Sequence, residues 1–215
     1  MPASNIPNAI WSRAVLCLAA TLTPTLAACQ PAQQPPDTIR LPNGNFRDHV
    51  DTSKPLKFHR YHLGAGCYDT YGCRIKYGDG YGNGYIVQDD PDEKEISSAE
   101  IGENYLDGLH GGWIDPPWPP QKAWISWQDK NRQPLEAMVD LDEIFKNRLI
   151  LHKVPREQMP PVYHAWIIPE IMIEVNDRTV RVWMRAMIFT TVLRKPDNPD
   201  SNFRNDIMLA YEKTY

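Results

Sequence analysis

Cys67 and Cys73, six positions apart in GAGCYDTYGCRIKYGDGYGNGYI, and the histidines at 49, 59, 62, 110, 152 and 164 are the side chains of this 215-residue chain best suited to metal or redox chemistry. Their spacing argues against both. A thioredoxin-type dithiol separates its sulfurs by two residues above a helix, whereas five residues intervene here. His59 and His62, the histidines nearest the cysteines, lie three apart in HRYH, a helical spacing inside a segment that reads as a strand, and no His-Glu-x-x-His is present. In an oxidising compartment two isolated cysteines this close pair with each other. A Cys67–Cys73 disulfide is therefore expected, with two free thiols and half of a metal site as the competing readings. No metal and no cofactor is expected.

Nucleophilic and acid–base chemistry has fewer footholds still. No serine stands in a Gly-x-Ser-x-Gly elbow. The glycine-rich GDGYGNG lacks the Gly-Lys-Ser or Gly-Lys-Thr of a phosphate loop and reads as a turn. In the acidic run DDPDEKE, Pro91 and Lys94 interrupt the alternating oxygen ligands that a calcium loop needs, so the run reads as a solvated turn. Asp115, in HGGWIDPPWPPQ, is the carboxylate best placed for glycosidic cleavage, because aromatic platforms accompany sugars. That reaction needs a second carboxyl roughly 5 to 9.5 Å away, which nothing in the sequence identifies. The chain is read as a non-enzyme, with an aromatic sugar or peptidoglycan site as another use of its tryptophans.

Near the N-terminus, AVLCLAATLTPTLAA is too short and too interrupted to span a bilayer, which takes about 20 apolar residues. It reads as the apolar core of a secretion signal behind Arg13. The four residues Leu26, Ala27, Ala28 and Cys29 resemble the processing box of bacterial lipoproteins. The resemblance implies cleavage before Cys29, acylation of that cysteine, and attachment to the membrane through the N-terminal lipid; an ordinary secretion signal with an incidental Cys29 is the competing reading. Each buried CH₂ of an acyl chain adds about 0.8 kcal/mol, so two or more chains hold a protein firmly. Removing the first 28 of 215 residues leaves 187, and since Arg13 is the one charged side chain removed, 22 Lys and Arg face 27 Asp and Glu. That acidic balance argues against nucleic acid as a partner.

Residues 29–54, rich in Pro, Gln and Asn, show no apolar period and read as a flexible tether. A single domain is expected over 55–215, mainly β or α+β, as an antiparallel sheet or sandwich with one or two short helices. LKFHRYHL suits a first strand, and CRIKYGDGYGNGYIVQD two strands around the glycine turn. SSAEIGENYLDGL reads as a short helix capped by Ser97 or Ser98 and stopped at Gly108. KAWISWQD reads as a strand with Trp124 and Ser126 on one side and Ala123, Ile125 and Trp127 on the other. A second brief helix is expected from Leu141, capped by Asp140 with Glu143 completing a capping box. IMIEVNDRTVRVWMRAMIF is the strongest signal: a hairpin whose Val180, Val182 and Met184 form an apolar face opposite Arg181, Trp183 and Arg185. DIMLAYEKTY is expected to return as an edge strand or short helix.

Tryptophans beside arginines are the composition of interface hot spots. A partner-binding surface is accordingly expected from Trp113 and Trp118 in the proline-rich loop together with Arg181, Trp183 and Arg185, with folding of the loop or hairpin face into the domain as the competing use. The stretches KAWISWQD, DLDEIF and IEVNDRTVRVWM resemble a family of small Gram-negative lipoproteins of unknown function, over about Lys57 to Phe189. That family includes periplasmic immunity proteins against phospholipase effectors of type VI secretion. The resemblance implies a cognate secreted phospholipase as partner, and Gln30 after the cysteine implies the periplasmic face of the outer membrane. It carries no catalytic or contact residue. A structural or assembly lipoprotein of the envelope is the alternative.

Overall fold

Apolar residues recurring at every second position build two sheets that share one core. The structure is a computed structural model, and it describes residues 38–43, 45–78 and 85–215. The expected signal, Cys29 and residues 79–84, expected as a turn, lie outside the described residues. In chain order the strands are β1 (Thr38–Arg40), β2 (Phe46–Asp48), β3 (Val50–Asp51), β4 (His62–Tyr68), β5 (Tyr71–Tyr77), β6 (Tyr85–Gln88), β7 (Trp113–Ile114), β8 (Lys122–Gln128) and β9 (Pro134–Asp140). They continue with β10 (Val162–Tyr163), β11 (Glu170–Asn176), β12 (Thr179–Arg185), β13 (Ile188–Phe189), β14 (Phe203–Arg204) and β15 (Ile207–Thr214). Two four-residue helices interrupt them, α1 (Ser98–Ile101) and α2 (Leu141–Ile144). None of the described helices is long and apolar enough to cross a membrane.

The larger sheet has the order β15-β12-β11-β4-β7 and the smaller β6-β5-β8-β9. Every pairing within them is antiparallel save β4 with β11. Leu63, Ile171, Ile173, Val175, Val180, Val182 and Met184 from the larger sheet meet Cys73, Ile75, Tyr77, Ala123, Ile125 and Trp127 from the smaller in one buried cluster. The mainly antiparallel fold with short helices is thus as the sequence implies. So are the 170–185 hairpin, the inward side of β8, and the final edge strand. Asp140 caps α2 by accepting from the Glu143 amide at 3.1 Å, while the Glu143 carboxylate turns instead to Lys146 at 2.9 Å.

Three expectations shift. Strand pairing starts before Pro55: Val50 is buried and pairs with Tyr163, and Thr52 Oγ1 donates to the Pro160 carbonyl at 2.6 Å. The polar composition of 29–54 hides Val50, an apolar side chain that docks there. LKFHRYHL is not a strand beyond a single bridge from Lys57 to Leu149; the extended pairing begins at His62, and Leu56, Phe58 and Tyr61 enter the core from irregular backbone. The helix from Ser97 closes at Gly102, whose φ of +102° suits glycine, and a single 3₁₀ turn at Tyr105–Gly108 follows.

That 3₁₀ turn and the residues after it lie across the second face of the larger sheet, and glycine makes the approach possible. A Cβ at Gly64 would stand 1.9 Å from the His110 carbonyl oxygen, and one at Gly111 2.7 Å from the His62 Cβ. The GAG of β4 and the GG after His110 therefore let backbone rest on backbone. Gly64→Ala is expected to lower stability by about 1–3 kcal/mol or more, as overpacking against main chain does, measured by urea denaturation.

The Cys67 and Cys73 sulfurs stand 2.05 Å apart, joining neighbouring strands of the two sheets. Closing so short a loop is expected to contribute about 2 kcal/mol. Peptide mapping should find both thiols blocked, and Cys67→Ser with Cys73→Ser should lower the unfolding free energy by that amount, measured by urea denaturation.

Candidate functional site

The residues expected to form one partner surface fall on opposite sides of the larger sheet. Cross-strand partners share a face, and Trp113 pairs with Leu63, Leu63 with Ile171, and Ile171 with Met184. Trp113 therefore belongs with the core-facing row, while Arg181, Trp183 and Arg185, alternating with Val182 and Met184, face the other way. Trp113 and the arginine row therefore lie in two separate groups.

The tryptophan loop is fastened to the core. Trp113 meets the buried Tyr77 edge-on, with ring centroids 5.7 Å apart. Tyr61 and Tyr77 share a hydrogen bond between their hydroxyls, the Tyr61 hydroxyl also donates to the Pro117 carbonyl at 3.0 Å, and the Gln121 amide donates to the Tyr77 hydroxyl at 2.6 Å. Burial raises the Tyr61 pKa above the ordinary phenol value. Trp118 stays 46% exposed, edge-on to Phe58 at 6.1 Å, with the Arg148 guanidinium 5.1 Å from its ring centre. Asp115 is bound by Arg60 through Nε at 2.9 Å, and that hydrogen bond holds its carboxyl below the ordinary 3.8. A carboxylate kept ionised in this way is poorly suited to donate a proton.

The other group surrounds Glu174, whose side chain has no solvent exposure. Its Oε2 accepts from Trp183 Nε1 at 2.7 Å; its Oε1 accepts from Tyr105 Oη at 2.9 Å, Asn176 Nδ2 at 3.0 Å and Arg181 at 3.3 Å. Burial and the adjacent carboxylate push the Tyr105 hydroxyl up to about 12. Arg181 also binds Glu212, and Arg185 binds Glu170 through Nε at 3.0 Å while donating to the Leu109 carbonyl at 2.9 Å. Arg181, Trp183 and Arg185 thus hold residues 105–110 onto the sheet.

Cys67, Cys73 and Asp89 are the group among the described residues with ligand atoms close enough for a metal, within 4.8 Å of one another. With the sulfurs joined to each other there is no thiolate to bind one. Burial, aided by Glu95, pushes Asp89 up to about 6.

One surface that sequence reasoning passed over stands open. On the outer face of the smaller sheet, the register sets Lys76 beside Trp124 and Trp124 beside Met138; the next row sets Arg74 beside Ser126 and Ser126 beside Glu136. Trp124 is 52% exposed and Met138 43%, and these side chains line a hollow of ≈ 460 Å³. Arg60, Arg148, Arg178, Arg181 and Arg185 each hold a carboxylate, whereas Arg74 and Lys76 have no such partner among the described residues. The available signal was Trp124 and Met138 at solvent-side positions of two strands.

No protein-family model matches the chain, and neither does a curated protein or a solved structure. The family resemblance rests on the stretches quoted for it.

Two outcomes follow from these contacts. Trp183→Phe leaves Glu174 Oε2 without its donor and is expected to cost about 2 kcal/mol, whereas Tyr105→Phe should cost less because Oε1 keeps two donors; urea melts decide. An Asp89 value of about 6 against an ordinary 3.8 means that the fold favours the protonated acid. The Asp89 contribution to stability is then fullest below pH about 4, declines through about 6 and is lost above. Allowing for solvent screening, Asp89→Asn should gain about 1 kcal/mol at pH 7.5 and nothing below pH 4, read from denaturation midpoints at the two pH values.

Proposed function

We propose that this chain is a lipid-anchored binding protein of the bacterial envelope. It acts as an immunity protein that captures a cognate phospholipase effector on the periplasmic side of the outer membrane. The observation that supports this best is the open outer face of the smaller sheet, where exposed Trp124 and Met138 lie beside Arg74 and Lys76, two cations without a carboxylate partner among the described residues. Aromatic and methionine side chains with arginine are what binding surfaces concentrate. Elsewhere three carboxylates are matched internally: Glu174 by four donors, Asp115 by Arg60, and Glu170 by Arg185.

The anchor gives the role a location. LAAC implies acylation of Cys29, and attachment to the membrane concentrates an inhibitor where a phospholipase attacks. Expressed with a cognate phospholipase effector, the chain is expected to form a stoichiometric complex and to suppress lipid hydrolysis. Cys29→Ser should bind the same enzyme equally well in solution while protecting cells about 100-fold less, as loss of effective concentration dictates. Stable association with an envelope assembly component and none with the lipase would overturn this reading in favour of a structural lipoprotein.

A further inference from the structure

We propose that the outer face of the smaller sheet receives an extended protein segment in which carboxylates flank an apolar anchor. The assignment rests on the binding role just proposed and names the chemistry of the partner. Trp124 and Met138 are neighbours on β8 and β9, and together they offer a wide apolar contact that the fold leaves half in water. Apolar side chains of this size at solvent positions acquire a function when they adjoin one another.

The charges set the partner's sign. Lys76 lies on the far side of Trp124 from Met138, and Arg74 lies one row along the same strand. Ion pairing recruits Arg60, Arg148, Arg178, Arg181 and Arg185 within the domain. Arg74 and Lys76 have no carboxylate partner among the described residues, and Glu136 is the carboxylate on the opposite side of the hollow. A carboxylate arriving beside Trp124 on the β5 side would meet two cations.

The shape sets the partner's form. A second hollow of ≈ 250 Å³ shares Arg74, Ser126 and Glu136 with the first and continues toward Gln128 and Pro134. Trp124, Ser126 and Gln128 are successive outward positions of one strand, so the two hollows form a track along β8. An extended chain fits such a track, with alternate side chains directed into it.

The test uses the full-length chain in detergent, with the Trp124 indole N–H resonance assigned through Trp124→Phe. A peptide alternating Leu and Asp is expected to shift that resonance in a saturable way. A Leu–Lys peptide should not, and Arg74→Glu with Lys76→Glu should weaken the Leu–Asp response at least tenfold without moving the thermal midpoint. No shift, or equal shifts from both peptides, overturns the proposal. A shift that grows with protein concentration alone assigns the face to a second copy and likewise overturns it.

A second arm separates this idea from the functional reading. Carbodiimide coupling of the chain to the phospholipase should join Lys76 to a lipase carboxylate. A complex that forms but couples elsewhere, leaving Trp124 unprotected from hydroxyl radicals, refutes the surface and leaves immunity intact. Absence of any complex, with the Leu–Asp response present, refutes immunity and leaves the surface.

Discussion

A carboxylate without solvent exposure is the constraint around which the larger sheet is organised. Glu174 sits in the middle of β11, where the alternation of the strand directs it away from the apolar core and toward the second face of the sheet. Covering that face without stranding the carboxylate requires donors, and they come from three segments: Tyr105 from the crossing backbone, Asn176 from the same strand, and Arg181 with Trp183 from the next. Removing one partner of a buried charge costs far more than the pair gains over an apolar replacement. The set therefore specifies an arrangement more than it adds stability.

The specification propagates outward. Tyr105 reaches Glu174 only if residues 105–112 lie close to the sheet, and they do so because Gly64 and Gly111 place no side chain in the gap. Once seated, that backbone presents the Leu109 carbonyl to Arg185, which Glu170 holds in place. Arg181, Trp183 and Arg185 resemble an interface in composition, but their polar atoms already have partners. Detaching them to meet another protein would strand Glu174 and open the crossing.

Local periodicity made the strands legible. Period-two alternation in 122–128 and 170–185 needs no tertiary information, nor does the step from Asp140 into α2. What escaped depends on contacts between distant segments. Val50 docks against Tyr163, far along the chain, and nothing in the surrounding polar residues signals it. LKFHRYHL alternates well enough for a strand, yet its apolar side chains enter the core without pairing, because the sheet's parallel partner, β11, begins its register at His62. The outer face was half-visible as an exposed Trp124. Its significance came only with the register that brings Lys76 and Met138 to either side, which no local pattern encodes.

The two sheets treat their non-core faces in opposite ways, and the contrast bears on where a partner can bind. On the larger sheet every charge of the arginine row is matched and the backbone of 105–112 is laid over it. On the smaller sheet, central β8 and edge strand β9 keep a tryptophan and a methionine half in water, beside cations that stay hydrated at little cost while exposed. Desolvating a cation becomes expensive unless an opposite charge arrives with the surface that excludes water. A face of this kind tolerates solvent, rejects a purely apolar partner, and binds a surface that brings its own carboxylates. Discrimination would then arise on the smaller sheet, while the ion pairs of the larger one keep the scaffold rigid beneath it.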